Sequence, residues 1–257
     1  MKGNVMKDIF EYYNNYDEDV RLSLDRAHKL EYFTTLHYIE KILKPNSIIL
    51  DACAGTGAYC FDLAEKGYDV IAGDLVPYNV EIILQKNKEA PLLKDVYEGN
   101  ILDLSRFNNE CFDITLCLGA FYHLHEKNDR VQAIKECLRV TKKGGHVVIA
   151  YLNRFASLLK GFTYHPEDFD NLMKEFNTGN KKVFYRSTPE EMELLIKESG
   201  ITKVYNLATD GVSYMYSQQL ESLSEQQFQT YLEYHLSTCE NNSILGYSLH
   251  GLYIGQK

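Results

Sequence analysis

The sequence predicts an α/β fold in which a largely parallel sheet of seven strands alternates with helices. From Ser47 onward, short apolar runs ending in Asp or Gly alternate with amphipathic stretches, the pattern of consecutive parallel β-α units. HVVIAYL at 146–152 is apolar without alternation, as a strand covered on both faces must be. The 257 residues, 45% hydrophobic, suit one large domain with a sizeable core. No self-similarity at a period of roughly 20–50 residues suggests a solenoid or propeller instead.

Residues 1–29 read as an N-terminal lid segment, polar and tyrosine-rich, with Tyr12, Tyr13 and Tyr16 close together as if to stack on or close over something. Tyr32, Leu36, Ile39 and Leu43 recur at i, i+4, i+7 and i+11, which predicts an amphipathic helix laid on the sheet. SIILD is the first strand, followed by a helix to Gly67; YDVIAGD is the second, followed by a helix through Val80 and Leu84. VYEGN gives the third strand and FDITLCL at 112–118 the fourth. Val131, Ile134 and Leu138 share one face of the next helix. TKKGG reads as the turn that ends it, and HVVIAYL is the fifth strand. Residues 153–187, with Phe155, Phe162, Tyr164, Phe169 and Phe176, break the rhythm and read as an inserted helical, aromatic cover. Thr188-Pro-Glu-Glu then offers an N-cap, a proline at N1 and a glutamate at N3, and Gly200 stops that helix. A strand near 202–209 follows, then a second cover element over 211–243 with a helix from Ser224 to about Leu236, and a last strand at 247–255.

Composition narrows the function. Thirty-six acidic residues against 27 basic ones leave a net charge of -9, and no basic run stands out, so nucleic acid is not the expected partner. No apolar stretch approaches the roughly 20 residues of a membrane span. MKGNVMKDIF lacks the apolar segment of a secretory signal, so the expected location is the cytosol. Cysteines at 53, 60, 111, 117, 137 and 239 form no CxxC pair and read as reduced thiols; no metal is expected.

ILDACAGTGAY is the most informative stretch: a buried strand ends at Asp51, and Gly55 and Gly57 occupy the turn before a helix. Glycine there lets backbone approach a ligand, and the helix start presents free N–H groups. Asp74, at the end of the next strand, is suited to accept ribose hydroxyls. A dinucleotide-binding turn shares this outline, but its third small residue is replaced by Cys60 and its pyrophosphate would be repelled by Asp51. S-adenosylmethionine, which carries adenosine without phosphate together with ammonium and sulfonium centres, would be attracted instead.

On these residues the chain resembles the class I S-adenosylmethionine-dependent methyltransferases over about residues 30–257. The acid-x-Gly-x-Gly-x-Gly motif appears as DACAGTG at 51–57, with Cys53 in place of the first glycine. The resemblance implies a Rossmann-like seven-stranded sheet in the order 3-2-1-4-5-7-6, the last strand antiparallel, with helices on both faces and ligands at the carboxyl ends of the strands. It also implies that Asp51, Ala52, Gly55, Gly57, Asp74 and Leu75 bind S-adenosylmethionine. Asn100 and Ile101 of EGNILDL would contact adenine, with Asp103 either a substitute acceptor or a turn residue, and Leu118 and Gly119 would lie beside the methionine part. Arg21 would pair the cofactor carboxylate, with Tyr16 in the lid. More narrowly, YYNNYDEDVRL, EYFTT, LGAFYHL and SLHGLYIGQK are similar to a bacterial subfamily of small-molecule methyltransferases.

Methyl transfer from a sulfonium is an in-line displacement that depends chiefly on positioning in a dry site. His123 is the candidate general base, its alternative role being to hold the loop through backbone hydrogen bonds; Tyr122 and His125 rank behind it. Tyr214, Tyr216, Phe228, Tyr231 and Tyr234 are expected to be mostly core, a few of them walling an acceptor pocket. The fourth strand lacks the Asn/Asp-Pro-Pro-Tyr/Phe of base-amine methylators, which favours a small-molecule acceptor. An NAD(P)-dependent oxidoreductase and a non-catalytic nucleoside-ligand sensor stay open as alternatives.

Overall fold

The computed structural model describes residues 3–257. Helices α1 (Gly3–Asn14) and α2 (Glu18–Arg21) precede α3 (Arg26–Ile42). The alternating region runs β1 (Ile48–Asp51), α4 (Ala58–Glu65), β2 (Asp69–Asp74), α5 (Pro77–Glu89), β3 (Asp95–Glu98), β4 (Phe112–Cys117), α6 (Lys127–Val140) and β5 (Thr141–Leu152). The inserted cover consists of α7 (Arg154–Tyr164), α8 (Phe169–Thr178) and a hairpin, β6 (Asn180–Lys181) with β7 (Phe184–Tyr185). The chain then forms α9 (Pro189–Glu198), β8 (Thr202–Ala208), α10 (Ser217–Glu221), α11 (Glu225–Thr238), α12 (Asn242–Leu245) and β9 (His250–Gln256).

Seven strands form one sheet in the order β3-β2-β1-β4-β5-β9-β8. With the small hairpin set aside, this is the 3-2-1-4-5-7-6 order. β1 to β5 pair in parallel, while β9 runs antiparallel to both β5 and β8. The core sits between sheet and helices: Ile49, Leu50, Val70, Leu116, Val148 and Leu252 are fully buried. Each such aliphatic side chain contributes about 1.5–3 kcal/mol by leaving water. The parallel register brings Asp51, Asp74, Glu98 and Cys117 to one edge, because each ends its strand in the same direction. Among the described residues, no helix is long and apolar enough to cross a membrane.

Local chemistry explains the element boundaries. Asp25 caps α3 by accepting from the His28 N–H at 2.8 Å, and the helix buries Leu30, Leu36, Tyr38 and Ile39. Thr188 and Glu191 close a reciprocal capping box at the start of α9, and Ser224 with Gln227 does the same for α11.

Two expectations are corrected. TKKGG is not a free turn: β5 begins at Thr141, which pairs with Phe112 across a register shift. The Thr141 hydroxyl donates to the Cys137 carbonyl at 2.7 Å, so α6 runs directly into the strand, and the bend falls at Gly144 (φ 75°). The buried face of α6 is centred on Arg130, Ala133, Ile134 and Cys137 rather than on Val131 and Leu138, which are only half-buried. Arg130 belongs to that face because its guanidinium donates to the Leu124 and His125 carbonyls.

Candidate functional site

A cavity of about 580 Å³ opens at the carboxyl ends of β1, β2 and β4. Ala52, Cys53 and Gly55 line it from the loop after β1, and Asp74, Leu75 and Val76 from the end of β2. Asn100, Ile101, Leu118 and Gly119 line it from the loops after β3 and β4, and Ile9, Tyr13 and Glu18 of α1 and α2 complete the wall.

The glycine turn is built as its residues require. Gly55 (φ 55°) and Gly57 (φ 99°) both take left-handed backbone, which side-chain-bearing residues rarely adopt. A Cβ on Gly57 would come within 2.8 Å of the Phe61 ring. The Ala54 N–H donates to the Gly73 carbonyl at 2.9 Å and ties the turn to β2. Gly57 does not line the cavity; its place is at the N-terminus of α4.

Two buried carboxylates dominate the electrostatics. Asp74 accepts from the Gly55 N–H (2.8 Å), the Val76 N–H (2.9 Å) and the Asn79 amide (3.1 Å). Burial nevertheless pushes its pKa up to about 6. Asp51 is 1% exposed, and neither of its carboxylate oxygens has a hydrogen-bond partner. Burial, with the Asp74 charge next in importance, pushes Asp51 up to about 7, an effect the nearby Cys53 N–H offsets only in part. Glu18 is raised as well, again chiefly by burial, against the pull of Arg21. Among the described residues, Glu18 and Asp74 are the charged lining residues, and no lysine or arginine lines this cavity. The site therefore suits a cation.

On the opposite wall His123 is buried between two partners. Its Nδ1 lies 2.9 Å from the Val183 carbonyl, which can only accept, so Nδ1 carries the proton. Nε2 is then the acceptor for the Tyr13 hydroxyl at 2.9 Å. Burial pushes His123 down to about 4, so the ring is neutral at physiological pH with both nitrogens used. It couples α1 to the cover hairpin, and its geometry is that of a positioning residue rather than a free base. Tyr122 lines the cavity beside it, its pKa raised by burial; His125 does not line it.

Of the residues singled out in sequence, Ala52, Gly55, Asp74, Leu75, Asn100, Ile101, Leu118, Gly119 and His123 come together around the cavity. Asp51 lies buried at the end of β1 and is not part of the wall. The Asn100 carbonyl oxygen accepts from the Leu102 N–H at 3.0 Å, leaving one lone pair. Asp103 is exposed and accepts from the Ser105 N–H, the turn role. Tyr16 stacks on Tyr12 with ring centroids 5.4 Å apart and is not part of the wall. Arg21 is not either: Glu18 holds its Nε at 2.9 Å, and Glu31 accepts from its Nη1 at 3.0 Å and from its Nη2 at 3.2 Å. Tyr214, Tyr216, Phe228, Tyr231 and Tyr234 do not line the cavity. Tyr214 packs with Ala156 and Leu249, while Tyr216 and Tyr231, between α10 and α11, share a hydroxyl contact at 2.6 Å. Sequence reasoning missed Ile9, Glu18, Val76 and Asn79. For Ile9 a signal existed, since Ile9 and Tyr13 stand four apart on one helical face; for Glu18 none did, since it sits in an acidic run.

Residues 50–149 match the family model described as a methyltransferase domain. A glycine/sarcosine N-methyltransferase of Parasynechococcus marenigrum is 30% identical over 114 residues, 44% of this chain and 40% of that protein. A ubiquinone biosynthesis O-methyltransferase of Aliivibrio fischeri is 25% identical over 64% of this chain and 70% of its own length. The chain spans about half the length of several curated relatives it matches, 40% to 54% in three of them. In fold it is similar to a SAM-dependent methyltransferase of Thermotoga maritima, described as a possible histamine N-methyltransferase. That structure has a TM-score of 0.61 and 16% identity, over 98% of this chain and 99% of that one.

Proposed function

We propose that the chain is a class I S-adenosylmethionine-dependent methyltransferase that transfers a methyl group to a small-molecule acceptor by in-line displacement. The observation that carries this reading is the buried Asp51 carboxylate, without a hydrogen-bond partner and with Asp74 as its charged neighbour. Such a group needs a cationic partner or a proton. A pyrophosphate would meet Asp74 and Glu18, with Asp51 buried at the end of β1 and no basic residue in the wall among the described residues, which counts against the nicotinamide alternative.

When bound, S-adenosylmethionine supplies an electrophilic methyl group on its sulfonium. Asp51 would take the ammonium. Asp74 keeps one of its roughly four lone-pair sites for a ribose hydroxyl, and the free lone pair of the Asn100 carbonyl with the Ile101 N–H would read adenine. Leu118 and Gly119 would flank the methionine part. Tyr13, whose hydroxyl donates to His123, keeps lone pairs on its oxygen free to accept a hydrogen bond from the acceptor's hydroxyl or amine. Ile9, 2% exposed against Val76 and Val183, helps α1 exclude water. Of the segment 1–29, residues 3–29 act in this reading as the lid, residues 1 and 2 lying outside the described residues, and the acidic net charge favours a small cytosolic acceptor over nucleic acid.

Calorimetry with S-adenosylhomocysteine and with NADH tests the proposal. Heat with the first and none with the second supports it; the reverse overturns it. Cofactor turnover with a panel of amine, hydroxyl and carboxylate acceptors then separates an enzyme from a sensor, because a sensor binds tightly and never releases S-adenosylhomocysteine.

A further inference from the structure

A second concavity, of about 1050 Å³, lies at the same carboxyl edge of the sheet, between the cover and the ends of β5 and β9. Its charge is opposite to that of the first. Lys160, Lys181 and Arg186 line it together with His165 and His250, and no aspartate or glutamate does. Glu175, behind the lining, is shared: its Oε2 lies 3.2 Å from both Lys181 Nζ and Arg186 Nη1. One carboxylate thus faces two cations. Lys160 makes no ion pair among the described residues, so the groove keeps an excess of positive charge in a chain whose net charge is -9. His250 is occupied elsewhere, its Nδ1 lying 2.7 Å from Asp210 and 3.5 Å from Glu31.

Phe184 separates the two concavities. It lines the basic groove, while its ring centroid stands 5.1 Å from that of His123 and 6.1 Å from that of Tyr122, both in the wall of the acidic cavity. Two ligands meeting across this ring would be sorted by charge, with the cationic centres drawn to Asp74 and Glu18 and anionic groups to the lysines and Arg186.

We propose that the methyl acceptor carries an anionic group, a carboxylate or a phosphate, which Lys160, Lys181 and Arg186 hold while its nucleophile reaches past Phe184. The proposal rests on the methyltransferase reading for the identity of the second ligand, but the groove's affinity for anions can be measured without it.

The test is calorimetric titration of the protein, saturated with S-adenosylhomocysteine, with inorganic phosphate and with malonate. At least one anion binds with a Kd below about 20 mM. Preference for phosphate points to a phosphorylated acceptor, and preference for malonate to a carboxylate one. The Lys160→Ala/Lys181→Ala variant weakens that binding about tenfold or more, while S-adenosylhomocysteine affinity stays unchanged and Lys88→Ala, on the outer face of α5, leaves the anion affinity as it was. Absence of binding by either anion overturns the proposal, as does an equal loss from Lys88→Ala. If S-adenosylhomocysteine itself fails to bind, the cofactor reading falls, and the two anion titrations still decide the charge preference of the groove.

Discussion

The ionisation of Asp51 makes cofactor affinity depend on pH in a direction fixed by the structure. In the free protein the carboxyl is pushed up to about 7. An ammonium placed beside it would return it toward the ordinary value of 3.8. Binding therefore expels a proton, and affinity falls as pH drops through 7. With those two values Asp51 alone makes the affinity for S-adenosylhomocysteine about fiftyfold weaker at pH 5 than at pH 7, roughly 2 kcal/mol. About half a proton is released per ligand at pH 7 and about 0.9 at pH 6. Calorimetry in two buffers of different ionisation enthalpy reads both the affinity and the proton count, and within this range the ligand's own amino group stays largely protonated. Asp51→Asn removes the main source. What remains comes from Asp74, held at about 6, and amounts to about tenfold at most over the same interval. A wild-type affinity flat to within about threefold would refute the argument, as would an Asp51→Asn variant that keeps the full fiftyfold dependence.

The same carboxylate should cost stability. Its folded value lies above the unfolded one, so the native state loses stability as pH rises from about 4 to about 7, and the penalty is complete above that. Asp51→Asn should therefore melt higher than wild type at pH 8, by up to about 4 kcal/mol, and gain little at pH 4; thermal denaturation at the two values checks the sign. Tyr13→Phe, which removes the 2.9 Å bond to His123, should lower kcat about tenfold or more with little change in S-adenosylhomocysteine affinity. The kcat/KM profile of the wild type should show no limb near 6.5 from His123, which is held at about 4; such a limb, abolished by His123→Asn, would count against a purely positioning role. Gly73→Ala should destabilise by about 1–3 kcal/mol in urea denaturation, because the added Cβ would fall 2.2 Å from the Tyr97 ring.

The sheet and its order were legible because each strand advertises itself locally. SIILD, YDVIAGD and HVVIAYL are apolar runs punctuated by turn residues, and the motif DACAGTG supplied the handedness and order through resemblance. Thr188-Pro-Glu-Glu was equally plain, since a capping box is a matter of four consecutive residues. TKKGG misled because its two glycines resemble a turn, whereas the pairing of Thr141 with Phe112 is a contact between segments far apart in sequence. The same limit applies to the site. Gly55, Asp74 and Ile101 lie on segments whose order along the chain fixes their place at the sheet edge. Glu18 and Ile9 reach the cavity only because α1 and α2 fold back over it, and Arg21 is withdrawn by Glu31, a residue ten positions away whose burial nothing in the sequence announces. The partition of charge between cavity and groove likewise required coordinates, because Lys160, Lys181 and Arg186 are scattered among acidic residues along the chain.

The imidazole of His123 has one side occupied by the first helix and the other by the inserted hairpin, regions that are 170 positions apart in sequence (Tyr13 and Val183). Withdrawing either leaves a dry ring nitrogen unsatisfied, a loss of about 1–3 kcal/mol. If residues 3–29 serve as the proposed lid, entry and exit of ligands would be a concerted event, in which a departing helix loosens the hairpin's grip and a returning one restores it.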